Sequence, residues 1–228
     1  MQAPVIDYRK LRLNNISTDE FKHLKLLLFW PLFGLLFCFV ERFYQVDYYH
    51  PMYCSFDDLI PFCEWFLIPY MFWFVFLVGM HLYTLLYDVD TFRRMMKYII
   101  ITYSAAMLIY FIFPTCQELR PIEFEKDNIL THFIAGFYQF DTNTNVCPSI
   151  HVIGSLAVME AALWSKQISS KGIKAAFVVM AVLISLSTVF MKQHSIIDLF
   201  AALPICFIAH VLCYRKPKQT INCGVGSD

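Results

Sequence analysis

The sequence predicts an all-α membrane protein, a single bundle of six transmembrane helices. Three observations carry this. Of 228 residues, 58% are hydrophobic and only 16% charged, with 23 phenylalanines, more apolar area than a soluble domain of this size can cover. Several runs approach the roughly 18–20 apolar residues that cross a bilayer. Fourteen of the eighteen Lys and Arg residues fall in the segments that a six-span chain would leave on one side of the membrane.

Six apolar stretches can be marked in order: residues 24–40, 62–82, 98–113, 150–164, 175–190 and 196–213. Lipid offers the backbone no hydrogen-bond partners, so each must be a helix or a barrel strand. They are too long and too uniformly apolar for barrel strands, which alternate with period two. The basic residues orient them by the positive-inside rule. Arg9, Lys10, Arg12, Lys22 and Lys25 precede the first stretch. Arg93, Arg94 and Lys97 lie between the second and third, Lys166, Lys171 and Lys174 between the fourth and fifth, and Arg215, Lys216 and Lys218 after the sixth. Only Arg42, Arg120, Lys126 and Lys192 belong to the other side. Both termini are therefore expected in the cytoplasm of a multi-pass cell-membrane protein. The segment from Met1 to His23 lacks the apolar core and small-residue cleavage site of a signal peptide, so the first helix is expected to act as its own insertion signal. One domain spans 1–228, with 1–23 and 215–228 as cytoplasmic ends.

Two outward connections are long. The first, 41–61, is aromatic and acidic (Asp47, Asp57, Asp58) and reads as an interfacial loop with an aromatic belt. The second, 114–148, contains an apolar stretch at 129–140, expected as a short helix lying in the interface. The net charge is zero, and no basic patch invites a nucleic acid. Eight cysteines contain no C-x-x-C pair, which argues against structural zinc. Cys54, Cys63, Cys116 and Cys147 are the candidates for exposure and pairing, and their spacing alone decides nothing.

Three fragments hold the chemistry, and the charge-derived topology puts all three on the outer side. They are Glu118-Leu119-Arg120-Pro121, Pro148-Ser149-Ile150-His151, and Ser187-Thr188 followed by His194 and Asp198. Pro148 suits the first turn of a helix, whose free amides would then bind a phosphate, with the Ser149 hydroxyl as a further donor and His151 in the same turn. Arg120 offers a planar fork that matches two phosphate oxygens. His194 and Asp198 are four apart and share a helix face. The carboxylate there can hold one ring N–H and sharpen the other nitrogen as a nucleophile. An acid near the end of an apolar helix is costly and points to function.

These fragments resemble the three motifs of the type 2 phosphatidic acid phosphatase superfamily. It includes lipid phosphate phosphatases, bacterial undecaprenyl pyrophosphate phosphatases, sphingolipid headgroup transferases and soluble vanadium haloperoxidases. The motif-bearing core covers about 98–203. The resemblance implies that His194 is the nucleophile, that Asp198 orients it and that His151 protonates the leaving oxygen, while Arg120 and Ser149 cradle the phosphate. Three positions depart from the pattern. Phe113 stands where the family has Lys, Thr188 where it has Arg, and Ile150 where Gly is commoner. Lys192, two residues before His194, is a candidate replacement for a missing cation.

The expected activity is hydrolysis of a lipid-linked phosphate or pyrophosphate through a phosphohistidine, with an active site facing outside. No metal or cofactor is expected, since the set lacks a carboxylate-rich cluster and Arg120 would repel a divalent ion. The alternatives are transfer to a lipid or sugar alcohol by the same chemistry, or a non-catalytic membrane protein or transporter. The lipid, the acceptor and the oligomeric state are not legible.

Overall fold

The computed structural model describes residues 4–44 and 46–215. Lys216, Lys218 and Cys223 of the expected cytoplasmic tail lie outside the described residues. The fold is all-helical apart from one two-residue strand pair, β1 (His50–Pro51) with β2 (Thr115–Cys116). A 3₁₀ turn at Lys22–Leu28 leads into α1 (Phe29–Arg42). Then come α2 (Phe56–Leu59), α3 (Leu67–Tyr87), α4 (Val89–Ile112), α5 (Ile129–Phe140), α6 (Ile150–Trp164), α7 (Lys171–Phe190) and α8 (Ile196–Tyr214).

Five helical segments among the described residues are long and apolar enough to cross a membrane: Lys22–Arg42, Glu64–Tyr87, Val89–Ile112, Lys171–Phe190 and Ile196–Tyr214. The remaining expected stretch, the fourth, is α6, whose 15 residues make it a shorter apolar helix. α6 is the hub. It packs on α3, α4, α7 and α8, and its buried residues include Gly154, Ser155, Ala157, Ala161 and Ala162. Small side chains let neighbouring backbones approach closely where lipid gives no hydrophobic drive between helices. α1 is the opposite case, with Val40 as its one fully buried residue.

α4 begins nine residues before the expected stretch 98–113. Its first three turns carry Arg93, Arg94 and Lys97, which mask the helix in a hydropathy reading. The start is fixed by capping: Asp88 accepts from the Thr91 amide at 3.2 Å and from the Thr91 hydroxyl at 2.8 Å. Arg94 then donates to the Cys213 carbonyl at 3.0 Å, satisfying an orphan acceptor at the end of α8. Nearby, His210 Nδ1 lies 3.1 Å from Glu160 Oε1, an ion-pair contact between α8 and α6 at the same end of the bundle.

The opposite end is roofed by the two long connections. β1 and β2 pair in parallel, His50 with Thr115 and Pro51 with Cys116, which ties the first connection to the second. α5 forms over 129–140, closed by a capping box between Asn128 and Thr131. It packs Ile134 against Leu67, Tyr70 and Met191. The first connection is more than an interfacial loop. Asp57, read from the sequence as part of a solvated belt, is buried and caps α8 as described below. The seven described cysteines, Cys54, Cys63, Cys116 and Cys147 among them, are free thiols.

Candidate active site

The site is built where the first turns of α6 and α8 meet. The Ser149 amide donates to the Asp198 carbonyl at 3.2 Å, binding the two helix starts together. α8 opens with a capping box. The Ser195 hydroxyl accepts from the Ile197 amide at 3.2 Å, and Asp198 Oδ2 accepts from the Ser195 amide at 3.1 Å. The sequence Ser-Ile-Ile-Asp therefore fixes the Asp198 carboxylate at the mouth of the helix. The same Oδ2 lies 3.1 Å from His194 Nδ1. An ionised carboxylate only accepts, so Nδ1 carries the proton and Nε2 keeps its lone pair. Asp198 is fully buried and His194 nearly so.

Asp57 completes this end. Its Oδ2 accepts from the Ser195 hydroxyl at 2.7 Å and its Oδ1 from the Ile196 amide at 2.8 Å, while the Cys54 amide closes the local turn at 2.9 Å. Behind Asp198 sits Cys147. Burial first, then the neighbouring Asp198 carboxylate, push its thiol up to about 12.

His151 lies in the first turn of α6. Its ring stacks on Tyr70 at 4.5 Å between centroids and tilts against Trp73 at 4.4 Å. The His194 ring is 6.1 Å away at 64°. Trp73 in turn leans on Gly154. A Cβ there would stand 2.9 Å from Trp73 Nε1 and 2.6 Å from the Tyr103 hydroxyl oxygen, so only glycine leaves the wall behind His151 in place. Both histidines line one cavity of about 40 Å³, room for roughly three waters.

The structure distributes the six expected site residues unevenly. His151, His194 and Asp198 come together as expected. Ser149 is the N-cap of α6, and its side chain makes no capping bond. Its hydroxyl is fully buried and has no protein partner. Pro148 was expected in the first turn but precedes the cap. The amides of Ile150, His151 and Val152 begin the helix and have no intrahelical acceptor.

Arg120 was expected to grip phosphate, yet it is turned onto protein oxygens. Nη1 donates to the carbonyls of Tyr138 and Asp141 at 2.9 and 3.0 Å. Nη2 donates to the Thr142 carbonyl at 2.8 Å and to Gln193 Oε1 at 2.6 Å. The guanidinium also lies 4.7 Å over the Tyr138 ring. The reason is local: the last turn of α5 presents carbonyls that lack amide donors, and a negative dipole end. Burial lowers the pKa of Arg120. Arg120 clamps the end of α5 to Gln193, the neighbour of His194.

Lys192 is also elsewhere. Its backbone takes the left-handed conformation, φ 51°, which swings the side chain to donate to the Asp57 carbonyl at 2.8 Å. It lines a separate cleft with Asp57, Asp58 and Glu118.

Glu41, Asp141 and Asn145 were missed, and all three line the histidine cavity, as does Tyr110. Asn145 donates to Glu41 Oε1 at 3.0 Å, and the Thr142 hydroxyl donates to Glu41 Oε2. Glu41 had a signal: it is an acid at the end of an apolar run, the same rule that singles out Asp198. Among the described residues no group of three or more His, Cys, Asp or Glu is disposed to hold a metal ion. No protein-family model, curated protein or solved structure matches the chain.

Proposed function

We propose that the chain is a multi-pass membrane enzyme that cleaves a lipid-linked phosphoester or pyrophosphate through a phosphohistidine, as in the type 2 phosphatidic acid phosphatase superfamily. One observation carries this reading. His194, held by Asp198 at 3.1 Å, faces His151 across a shared cavity with ring centroids 6.1 Å apart. Two imidazoles on opposite walls, one with a carboxylate behind it, suit nucleophilic attack and proton delivery from opposite sides of one phosphorus.

His194 Nε2 forms a bond to phosphorus as the bond to the leaving oxygen breaks. His151 gives that oxygen its proton. Water then attacks the phosphohistidine, His151 takes its proton back, and the P–N bond breaks. Negative charge on the equatorial oxygens meets the free amides that begin α6 and the Ser149 hydroxyl. Transfer to an alcohol in place of water uses the same steps. The apolar walls of the bundle favour lipid substrates, which reach the site sideways from the membrane.

The reading includes an orientation. Six helices, α6 among them, cross the cell membrane with both ends of the chain in the cytoplasm. α5 lies in the outer interface and the histidines open outward. The supporting fact is that Arg93, Arg94, Lys97, Lys166, Lys171, Lys174 and Arg215 gather at the end of the bundle away from the histidines. A cysteine at the fully exposed Ile122 should react with an impermeant thiol reagent from outside, and one at Ser169 should not. The reverse pattern overturns the orientation.

The chemistry is tested with purified protein in detergent and a panel of lipid phosphoesters and pyrophosphates. Acid quenching should trap a labelled protein, and either free phosphate or a new phospholipid should appear. Absence of both label and product across the panel would sink the proposal.

A further inference from the structure

Gln193 precedes His194 in the chain and lines the cavity between the two histidines. It is only 3% exposed, and both its backbone and its side chain are held. The amides of Gln193 and His194 donate to the same Thr188 carbonyl, at 3.0 and 3.1 Å, so one acceptor near the end of α7 fixes the two residues as a pair. Arg120 Nη2 donates to Gln193 Oε1 at 2.6 Å. That bond settles which way the amide faces. A guanidinium has donors only, so the amide oxygen is the end that meets Arg120. The nitrogen is the other end. Gln193 Nε2 is buried and has no protein partner among the described residues. A buried amide nitrogen without an acceptor is costly, and on a cavity wall a ligand oxygen can supply one.

Three other donors on the wall are already engaged. The Tyr110 hydroxyl donates to the Pro148 carbonyl at 2.7 Å. The Thr142 hydroxyl and Asn145 Nδ2 both donate to Glu41. No Lys or Arg lines the cavity among the described residues. Arg120 gives the Gln193 amide more than an orientation. The guanidinium makes no ion pair within 4 Å among the described residues. Its donors go to three carbonyls and to Gln193. A positive charge at Oε1 polarises the amide and strengthens its N–H groups as donors.

We infer that Gln193 Nε2 donates to a phosphoryl oxygen during the reaction, and that Arg120 is a positioning residue that acts on the phosphoryl group through the Gln193 amide. This rests on the proposed phosphohistidine chemistry and adds a second element to the anion cradle, the connection between α7 and α8, beside the first turn of α6. As the bond from His194 Nε2 to phosphorus forms, negative charge grows on the equatorial oxygens, and one of them accepts from Gln193 Nε2. No proton moves in that contact. The donor is the chain neighbour of the nucleophile, and the Thr188 carbonyl holds both, so attack and charge stabilisation keep one fixed geometry.

The deciding variant is Gln193→Glu. It keeps the side-chain length and an oxygen for Arg120, and beside the guanidinium the new carboxylate stays ionised. Only the donor is exchanged, for a negative oxygen. With full-length protein in detergent and a nitrophenyl phosphate ester as probe, kcat should fall at least roughly 100-fold with KM little changed, as for loss of one oxyanion donor. The melting temperature should hold or rise. If Gln193 serves only to anchor Arg120, Gln193→Glu keeps full activity, and that result overturns the inference. Gln193→Met, close in shape and without a donor, is the second variant, and unchanged kcat there overturns it equally. Arg120→Met frees the amide to turn and should lower kcat by roughly tenfold, with part restored in Arg120→Lys. In the Gln193→Met background, Arg120→Met should cost less than about twofold more. Full additivity means that Arg120 meets the phosphoryl group itself and overturns its indirect role. Vanadium NMR of inorganic orthovanadate, which takes the five-coordinate geometry of a transferring phosphoryl group, reads binding without turnover. Gln193→Glu should bind it at least roughly tenfold more weakly than the parent. Saturable binding that Gln193→Glu weakens supports the donor even if every ester is inert, in which case it is the phosphohistidine reading that fails. Binding equal in the two proteins, or none in the parent, overturns the inference.

Discussion

The two helices that meet at the histidines begin in opposite ways. α8 is fully tied at its start: Ser195, Asp198 and Asp57 between them satisfy the Ser195, Ile196 and Ile197 amides. α6 starts with a serine that caps nothing, and its hydroxyl is buried without a partner. One beginning is closed and holds His194, the proposed nucleophile, in a single tautomer. The other is left with donors to spare beside a histidine that only aromatic rings support. A capped helix start fixes geometry, and an uncapped one leaves donors that the proposed phosphoryl group would satisfy. The comparison separates a positioning end from a receiving end.

The sharpest way to break it is to remove each histidine. His194→Ala should abolish turnover of every substrate and leave no trapped phosphoenzyme. His151→Ala should be severe for an alkyl ester, whose alkoxide needs the proton, and milder for a nitrophenyl ester, which hardly does. Acid-quenched labelling decides: label that survives His194→Ala and disappears in His151→Ala means the two ends have exchanged roles.

Next in size is Asp198→Asn. The amide can present its NH₂ group to His194 Nδ1 and favour the wrong tautomer. By analogy with triad carboxylates the loss is about 10⁴-fold in kcat, with the protein still folded, since turning the NH₂ group to His194 gives up the Ser195 amide bond alone, about 1 kcal/mol. A loss under about tenfold would mean that the 3.1 Å contact orients nothing. Asp57→Asn tests the same end from one step further back. It weakens the bonds to the Ser195 hydroxyl and the Ile196 amide, so kcat should fall by roughly tenfold with KM little changed. The melting temperature in detergent should drop by what about 1–2 kcal/mol of lost capping implies.

Much of this end was legible in the sequence. The bounds of α6 and the stretch that became α5 follow from apolar runs. His151, His194 and Asp198 follow from side chains whose spacing and sidedness agree. What stayed hidden depends on partners that sequence does not display. Arg120 answers to backbone carbonyls at the end of α5, and no residue pattern announces those. Lys192 turns away because its own φ is positive. Glu41 and Asn145 are 104 residues apart, and only the fold makes them neighbours. The early start of α4 was missed because basic side chains in its first turns conceal an apolar face.

The smallest effect sharpens the comparison most, because it contrasts two serines of the same chemistry. Ser195 gives and takes: its hydroxyl donates to Asp57 Oδ2 at 2.7 Å and accepts from the Ile197 amide at 3.2 Å. Ser195→Ala takes one of two donors from the buried Asp57 Oδ2, which keeps the Cys54 amide, and leaves the Ile197 amide unpaired, a cost of about 1–2 kcal/mol. Ser149 makes no such bonds, and its buried hydroxyl has no protein partner. Ser149→Ala should therefore leave stability within about 0.5 kcal/mol of the parent, or raise it slightly, since removing an unsatisfied buried polar group is neutral to favourable. Its effect belongs to the reaction: if the hydroxyl meets a phosphoryl oxygen, kcat/KM should fall by roughly tenfold, the worth of one such donor. Thermal melting of the two variants in the same detergent, with kcat/KM on one nitrophenyl probe, separates the cases. Equal loss of stability in both would mean that α6 is capped as firmly as α8, and the distinction between a positioning end and a receiving end would be gone.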